Sequence, residues 1–325
     1  MNKLEKVQRF DQIKLLADER RMAILQLLMT KEATLSQLGE ELEKSPAWVR
    51  HHVQKLEASG LVELCEVRNT GKVTEKFYRA NAKAFLVQEL VFPKGKKPVL
   101  VFAGSHDLAI ELIAHSLQKY LDLLILPIGS LNGLVNLRQG LCQISGAHLL
   151  DVTGEYNAPY VNHLFPDRAM QMITLSNRTQ GLIIAPGNPW KINRIEDLVQ
   201  DGLRFINRNP GSGTRLWLDR ELKRLGIPGE NINGYQKAAN THTETARSVA
   251  AGQADAALGL QAAAQNYKLG FIPLFEERYD LVFSPVVADQ LKVMLNFVQS
   301  AGFRRQLDGL TGYQSTSTGA QVALS

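Results

Sequence analysis

Cysteine is nearly absent from this chain of 325 residues. The two present, Cys65 and Cys142, are too few for a disulfide framework and too isolated for a metal-binding cluster. They are expected to be buried thiols. No apolar run reaches the roughly 18 residues that a membrane-crossing helix requires. The opening residues, MNKLEKVQRFDQIK, are charged and contain no apolar leader, which points to a cytoplasmic protein with no membrane partner. Catalytic signatures are also missing. There is no GxSxG elbow, no GxxxxGK(S/T) phosphate loop and no paired acid and base at a recognisable spacing. His148 and His163 stand alone and read as structural histidines. An enzyme is therefore not expected, and no cofactor is implied.

Charge is unevenly spread. Residues 1–98 hold 18 Lys and Arg against 13 Asp and Glu, whereas residues 99–325 hold 19 of each. The whole excess of +5 lies in the first third. A basic module beside a neutral one suits contact with nucleic acid, because neutralised phosphates release their counterions. A solvated basic face would carry the same excess.

Within that first third, residues 12–30 place Ile13, Leu16, Met22, Leu25 and Leu28 at helical spacing. LSQLGEELEK gives a short second helix. Ser45 can cap a third, with Pro46 in its first turn, where a proline costs nothing. That third helix, PAWVRHHVQKLEASG, directs Val49, Val53 and Leu56 inward. Trp48, Arg50, His51, His52 and Lys55 then lie largely on other faces. LVELCEV and VTEKFYRA read as two strands joined by an NTGK tip, with Arg68, Lys72 and Lys76 on or near it. Helix, turn and helix followed by a basic hairpin is the winged helix-turn-helix plan, whose second helix enters the major groove of double-stranded DNA. Ser45, Trp48, Arg50, His51, His52, Lys55, Arg68, Lys72 and Lys76 are the candidate DNA contacts. Trp48 suits core packing equally well, and the His51–His52 pair leaves metal binding as the lesser alternative. Residues 3–17 read either as a dimer helix or as core packing.

PKGKKP, residues 93–98, is a polar, proline-flanked linker, so domains are expected at 1–92 and 99–325. Beyond it strands alternate with helices: VLVFAG, LDLLILPIG, ISGAHLL, GLIIAPG, LRFINR and DAALGL each precede helical stretches or turns. That α/β alternation implies parallel sheets covered by helices, with ligands at the carboxyl ends of strands. Three strand-to-helix turns share one chemistry of small residues, hydroxyls and unpaired backbone N–H groups. They are Gly104-Ser105-His106-Asp107, Gly129-Ser130-Leu131-Asn132 and Gly211-Ser212-Gly213-Thr214-Arg215. Converging helix starts suit a compact anion, and Arg178 and Arg215 would add charge-assisted bonds. Asp107 opposes this: a carboxylate repels a dianion, so it caps its helix or binds an arginine instead.

Long motifs carry two resemblances. DERRMAILQLL, LSQLGEEL, SPAWVRHHVQKLEASGLVE and TGKVTEKFYRA resemble the winged-helix regulators of the arsenic-repressor type. GSHD, GSLNGL, LRQGLCQISGAHLLD, RTQGLIIAPGNP, FINRNPGSGTRLWLDRELKRLGI and ETARSVAAGQADAALGLQAAA resemble the periplasmic-binding-protein-like domain of molybdate- or tungstate-related regulators. The second resemblance implies a two-lobed, type II domain, with lobe 1 at about 99–180 plus 285–325 and lobe 2 at about 181–284. It implicates Ser105, Ser130, Ser212, Gly213 and Thr214 in holding a small anionic effector. His106, Tyr156, Arg178 and Arg215 are weaker carry-overs. Together the resemblances imply a homodimeric regulator that binds DNA and responds to a molybdate- or tungstate-like oxyanion. The alternatives are a small organic effector, such as a pterin or an aromatic acid, or an enzyme acting on one.

Overall fold

The computed structural model describes residues 3–7, 9–70 and 73–324. The chain divides into two compact units, Met1–Val91 and Phe92–Ser325.

The first unit begins with β1 (Leu4–Val7), α1 (Phe10–Leu16) and α2 (Glu19–Thr30). Residues 3–17 thus hold a strand as well as a short helix. The single helix expected over residues 12–30 is broken where the Asp18 side chain caps α2 by accepting from the Arg20 N–H. Short β2 (Ala33–Thr34) leads into α3 (Leu35–Leu42), which opens with a reciprocal capping box between Thr34 and Gln37. α4 (Pro46–Ala58) follows a tight turn. Gly39 makes that turn possible: a Cβ there would meet the Lys44 carbonyl at 2.6 Å. β3 (Val62–Thr70) and β4 (Val73–Ala80) form the hairpin, with β2 alongside β4. β5 (Ala84–Val87) returns to pair in parallel with β1. Ile24, Leu25, Leu28, Leu38, Val49, Val53 and Leu56 are sealed in one core. Fully burying each such side chain is worth about 1.5–3 kcal/mol.

The second unit runs β6 (Val99–Gly104), α5 (Leu108–Leu117), β7 (Asp122–Pro127), α6 (Ser130–Gln139), β8 (Ile144–Ala147) and α7 (Ala158–Leu164). Then come β9 (Gln171–Ile184), β10 (Phe205–Arg208), α8 (Gly213–Leu225), β11 (Ala238–Ala239), α9 (His242–Ala250) and β12 (Ala256–Leu260). The chain continues through α10 (Gln261–Asn266), β13 (Gly270–Phe283), α11 (Ala288–Val298), α12 (Ala301–Asp308) and β14 (Tyr313–Gln314). Among the described residues the strands form one sheet in the order β11-β10-β12-β9-β13-β8-β6-β7, with β14 also on β9.

The long antiparallel pair β9 and β13 crosses the whole unit. One end of it meets β12, through residues 180–184 of β9. The other end meets β8, through residues 280–283 of β13. The return crossing therefore falls inside β13, before residue 284. β9 also starts ten residues earlier than GLIIAPG suggests. Its additional segment carries the polar residues Ser176, Asn177 and Arg178. Arg178 tolerates strand burial because Glu277, opposite it on β13, pairs with it.

Candidate functional site

The helix expected to enter the groove is α4 of the first unit. Ser45 caps it by accepting from the Trp48 N–H at 3.3 Å. Arg50, His51 and Lys55 are exposed along it. His52, expected on an outward face, is buried at 4% exposure, and its ring lies 4.3 Å from that of half-buried Trp48. Both side chains serve the core edge of the helix, because residue 52 shares the inward stripe with Val49 and Val53. In the hairpin, Arg68 is paired with Glu66 at 2.7 Å and lies 4.3 Å over the Phe77 ring. Its charge is partly spent within the hairpin, while Lys76 is exposed. Lys72 lies outside the described residues.

In the second unit the three Gly-Ser turns do meet. Gly129, with φ +89°, sits against the backbone of Gly211, where a Cβ would come within 2.9 Å of the carbonyl carbon. Leu131 N–H donates to the Gly211 carbonyl at 3.4 Å. The hydroxyls expected to face a ligand instead face protein partners. Ser212 caps α8 by accepting from the Arg215 N–H at 3.3 Å. Ser130 Oγ accepts from the His148 N–H at 3.2 Å. Thr214 Oγ1 accepts from Gln180 Nε2 at 2.9 Å. Ser105 Oγ is 2.8 Å from His148 Nε2. Gly213, the first residue of α8, packs against His148.

A buried charge cluster lies behind these contacts. Arg178, on β9, is paired with both Asp107 and Glu277. Asp107 has both anticipated roles: its Oδ1 accepts from the Ala109 N–H at 2.7 Å, and its Oδ2 takes Arg178 and the Tyr313 hydroxyl. Burial alone would raise the Glu277 carboxyl; the adjacent Arg178 and His148 outweigh it and hold it at about 2. Ionised Glu277 is acceptor-only, so His148 donates from Nδ1 to it at 2.7 Å and leaves Nε2 to accept the Ser105 hydroxyl. Burial keeps that imidazole neutral by lowering its pKa. Ser105, His148 and Glu277 thus follow the order of a nucleophile relay. All three are sealed, however, at 0%, 2% and 3% exposure.

Two expected arginine contacts are already occupied. Arg178 is neutralised by two carboxylates. Arg215 binds Asp219 at 2.9 Å and stacks 3.9 Å over the Tyr235 ring. Tyr156 donates to the Glu276 carbonyl at 3.3 Å, and burial raises its phenol to about 12. His106 donates from Nε2 to Glu111 at 2.8 Å and accepts the His242 N–H at Nδ1.

The residue missed in the sequence is Arg208, at the end of β10 just before PGSGTR. It is fully buried. Its Nε and Nη2 donate only to the carbonyls of Ala239 and Asn240, at 3.4 and 2.9 Å. Its Nη1 has no partner, and no carboxylate among the described residues pairs with it. Burial, then neighbouring Arg178, lower its pKa to about 9, so it keeps its charge at neutral pH. Other buried polar atoms also lack partners: Asn209 Oδ1, next to it in the chain, Thr243 Oγ1, Gln180 Oε1 and both ring nitrogens of His242, whose imidazole feels the Arg208 charge. Such groups normally find partners, and a charged donor without an acceptor is the costliest case. Leu150, Tyr156, Leu216, Trp217, Arg220 and Phe275, together with Glu277, line a small, shallow cleft. No group of three or more potential metal ligands occurs among the described residues.

A helix-turn-helix with a hairpin wing, followed by a mixed α/β domain with two crossing strands, defines the class. The chain belongs to the PBP superfamily domain family, whose model matches residues 111–299. Residues 18–63 match the bacterial regulatory protein arsR family. A Bacillus subtilis protein, the uncharacterised YvgK, is 35% identical over 233 residues, covering 71% of this chain and 75% of that protein. An uncharacterised Clostridium pasteurianum protein, encoded upstream of a 2Fe-2S ferredoxin gene, is 36% identical over 108 residues, or 32% of this chain and 96% of its own length. Among solved structures, a phosphate-bound substrate-binding protein of a phosphate transporter from Clostridium perfringens aligns at TM-score 0.48 and 14% identity, covering 66% of this chain and 99% of that one. The tungstate transporter protein of Geobacter sulfurreducens aligns at TM-score 0.46 and 13% identity, over 65% and 98%. The chain thus joins an arsR-type DNA-binding module to a ligand-binding domain of the PBP class. Among the described residues no helix is long and apolar enough to cross a membrane.

Proposed function

We propose that this chain is a homodimeric, cytoplasmic transcriptional regulator whose second domain captures a compact oxyanion of the molybdate or tungstate kind. One observation carries the reading: Arg208 is a fully buried cation with which no carboxylate among the described residues pairs. It stands at the strand end where α8 and α9 begin, so backbone N–H groups and helix dipoles add to its pull. The turns around Ser105, Ser130, Ser212, Gly213 and Thr214 form the walls, and their hydroxyls exchange internal partners for the anion as the Gly129–Gly211 contact separates. Ligand thereby shifts the population of two arrangements of the domain. The first domain reads DNA with Arg50, His51 and Lys55 on α4 and Lys76 on the wing.

Thermal unfolding of the full chain with tungstate, molybdate, sulfate, phosphate and small aromatic acids tests this. An oxyanion should raise Tm in the natural chain and leave Arg208→Gln unmoved. Equal shifts in both proteins would remove Arg208 from the site. A second reading, an organic effector, is favoured by the aromatic cleft of Trp217, Phe275, Tyr156 and Arg220. A shift with aromatic acids alone would support it.

A further inference from the structure

α9 begins with His242, and this side chain has no evident structural task. It is fully buried, yet neither Nδ1 nor Nε2 has a hydrogen-bond partner. Toward β12 it faces Gly259, where a Cβ would lie 3.2 Å from Nδ1. That strand therefore offers it no side-chain acceptor. The guanidinium of Arg208 is anchored to the Ala239 and Asn240 carbonyls, directly upstream on the same turn.

The charges around His242 are all accounted for. From β10 comes Arg208, unpaired. From β9 comes Arg178, already shared by Asp107 of the β6–α5 turn and Glu277 of β13. From the β6–α5 turn comes His106, whose ring is 6.0 Å away and whose other nitrogen holds Glu111. From the segment after β8 comes His148, engaged by Glu277. On its own helix, Glu244 is committed to the backbone N–H groups of Asn240 and Thr241. Every carboxylate near His242 is thus already claimed, and the helix start adds partial positive charge. Burial together with Arg208 and Arg178 holds the imidazole well below its usual pKa, so it is neutral at pH 7.

We propose that His242 takes up a proton when a dianion docks beside Arg208, so that the domain binds dianionic oxyanions together with one proton. This rests on the oxyanion reading given above and adds its regulation. One guanidinium cancels half of a dianion's charge. An imidazolium with two N–H donors that no protein group claims, made at the moment of binding, cancels the rest. The proton comes from solvent or buffer and returns there on release, so no other reactant is needed. A monoanion would be balanced by Arg208 alone and would bring no proton.

The test is isothermal titration of the full chain with sodium molybdate in Tris and in imidazole buffer, whose ionisation heats differ, from about pH 7 to 7.5, well below the Arg208 value of about 9, so that the guanidinium stays charged throughout. The expected result is buffer-dependent heat corresponding to about one proton absorbed per molybdate. Affinity should rise up to about tenfold for each unit the pH falls. His242→Gln, which keeps a donor but does not titrate, should bind with no proton uptake and with pH-independent affinity. Molybdate binding to the natural chain without proton uptake overturns this inference and leaves the oxyanion reading intact. Uptake that survives in His242→Gln also overturns it, by assigning the proton elsewhere. No binding of molybdate or sulfate at any pH would refute the oxyanion reading itself. The natural chain's buffer dependence stands as a test even if the variant does not fold.

Discussion

Replacing Arg208 with methionine should stabilise the protein, an unusual expectation for a buried residue. Burial and Arg178 lower the guanidinium from 12.5 to about 9. At about 1.4 kcal/mol per unit, holding that charge costs up to roughly 5 kcal/mol. Methionine has similar length and volume and carries no charge. It gives up two hydrogen bonds to carbonyls, each worth about 1.5–3 kcal/mol when the donor is charged. Ala239 keeps its bond from the Asn209 N–H at 3.1 Å, so only the Asn240 carbonyl loses its side-chain donor. The net expectation is a gain of up to roughly 2 kcal/mol, raising Tm by a few degrees for a domain of this size. The sign with pH follows from the lowered pKa. Below about pH 9 the penalty is complete in the natural chain. As pH rises from there toward 12.5 the folded arginine sheds its proton, so the advantage of methionine should narrow. Urea and thermal unfolding in anion-free buffer at pH 7.5 measure the gain, and repetition with tungstate should raise the natural chain alone. A loss of more than about 1 kcal/mol in Arg208→Met would refute the reasoning, because it would mean the charge is already compensated.

Arg178→Met should act in the opposite direction. It strands Asp107 and Glu277 as unpaired buried carboxylates, at a cost of about 3–5 kcal/mol. Glu277 is depressed from 4.5 to about 2, so its contribution is full above the unfolded value and is lost as pH falls through the folded one. The deficit of the variant should therefore be largest at neutral pH and shrink as pH falls below about 4.5 toward 2; urea denaturation at pH 7 and pH 3 reads the difference. Arg50→Ala should weaken operator binding, lower the slope of log affinity against log salt by about one and leave ligand-induced stabilisation unchanged. Unchanged DNA affinity in a filter-binding titration would take α4 out of the groove.

The winged helix was legible because its signals are local. Ser45 and Pro46 mark the start of α4, LSQLGEELEK shows as α3, and the hairpin shows as two alternating strands. His52 escaped because helical spacing assigns it to a boundary between faces, and only packing against Trp48 decides which side it takes. In the second domain the glycines of the three turns announced close approach, and the turns do converge. Their hydroxyls gave no hint of internal partners, since His148 and Gln180 are brought to them by strands distant in sequence. Arg178 read as a free cation for the same reason: its carboxylates lie 71 and 99 residues away. Arg208 left one usable signal, a lone charge closing the apolar strand FINR immediately before a helix-start turn.

Anomalous diffraction at the tungsten edge, from crystals of the full chain grown with tungstate, bears most directly on the central claim. A single strong peak within hydrogen-bonding reach of Arg208 Nη1, between the starts of α8 and α9, is the expected result. A peak elsewhere, or none beside Arg208 at saturating tungstate, would contradict it.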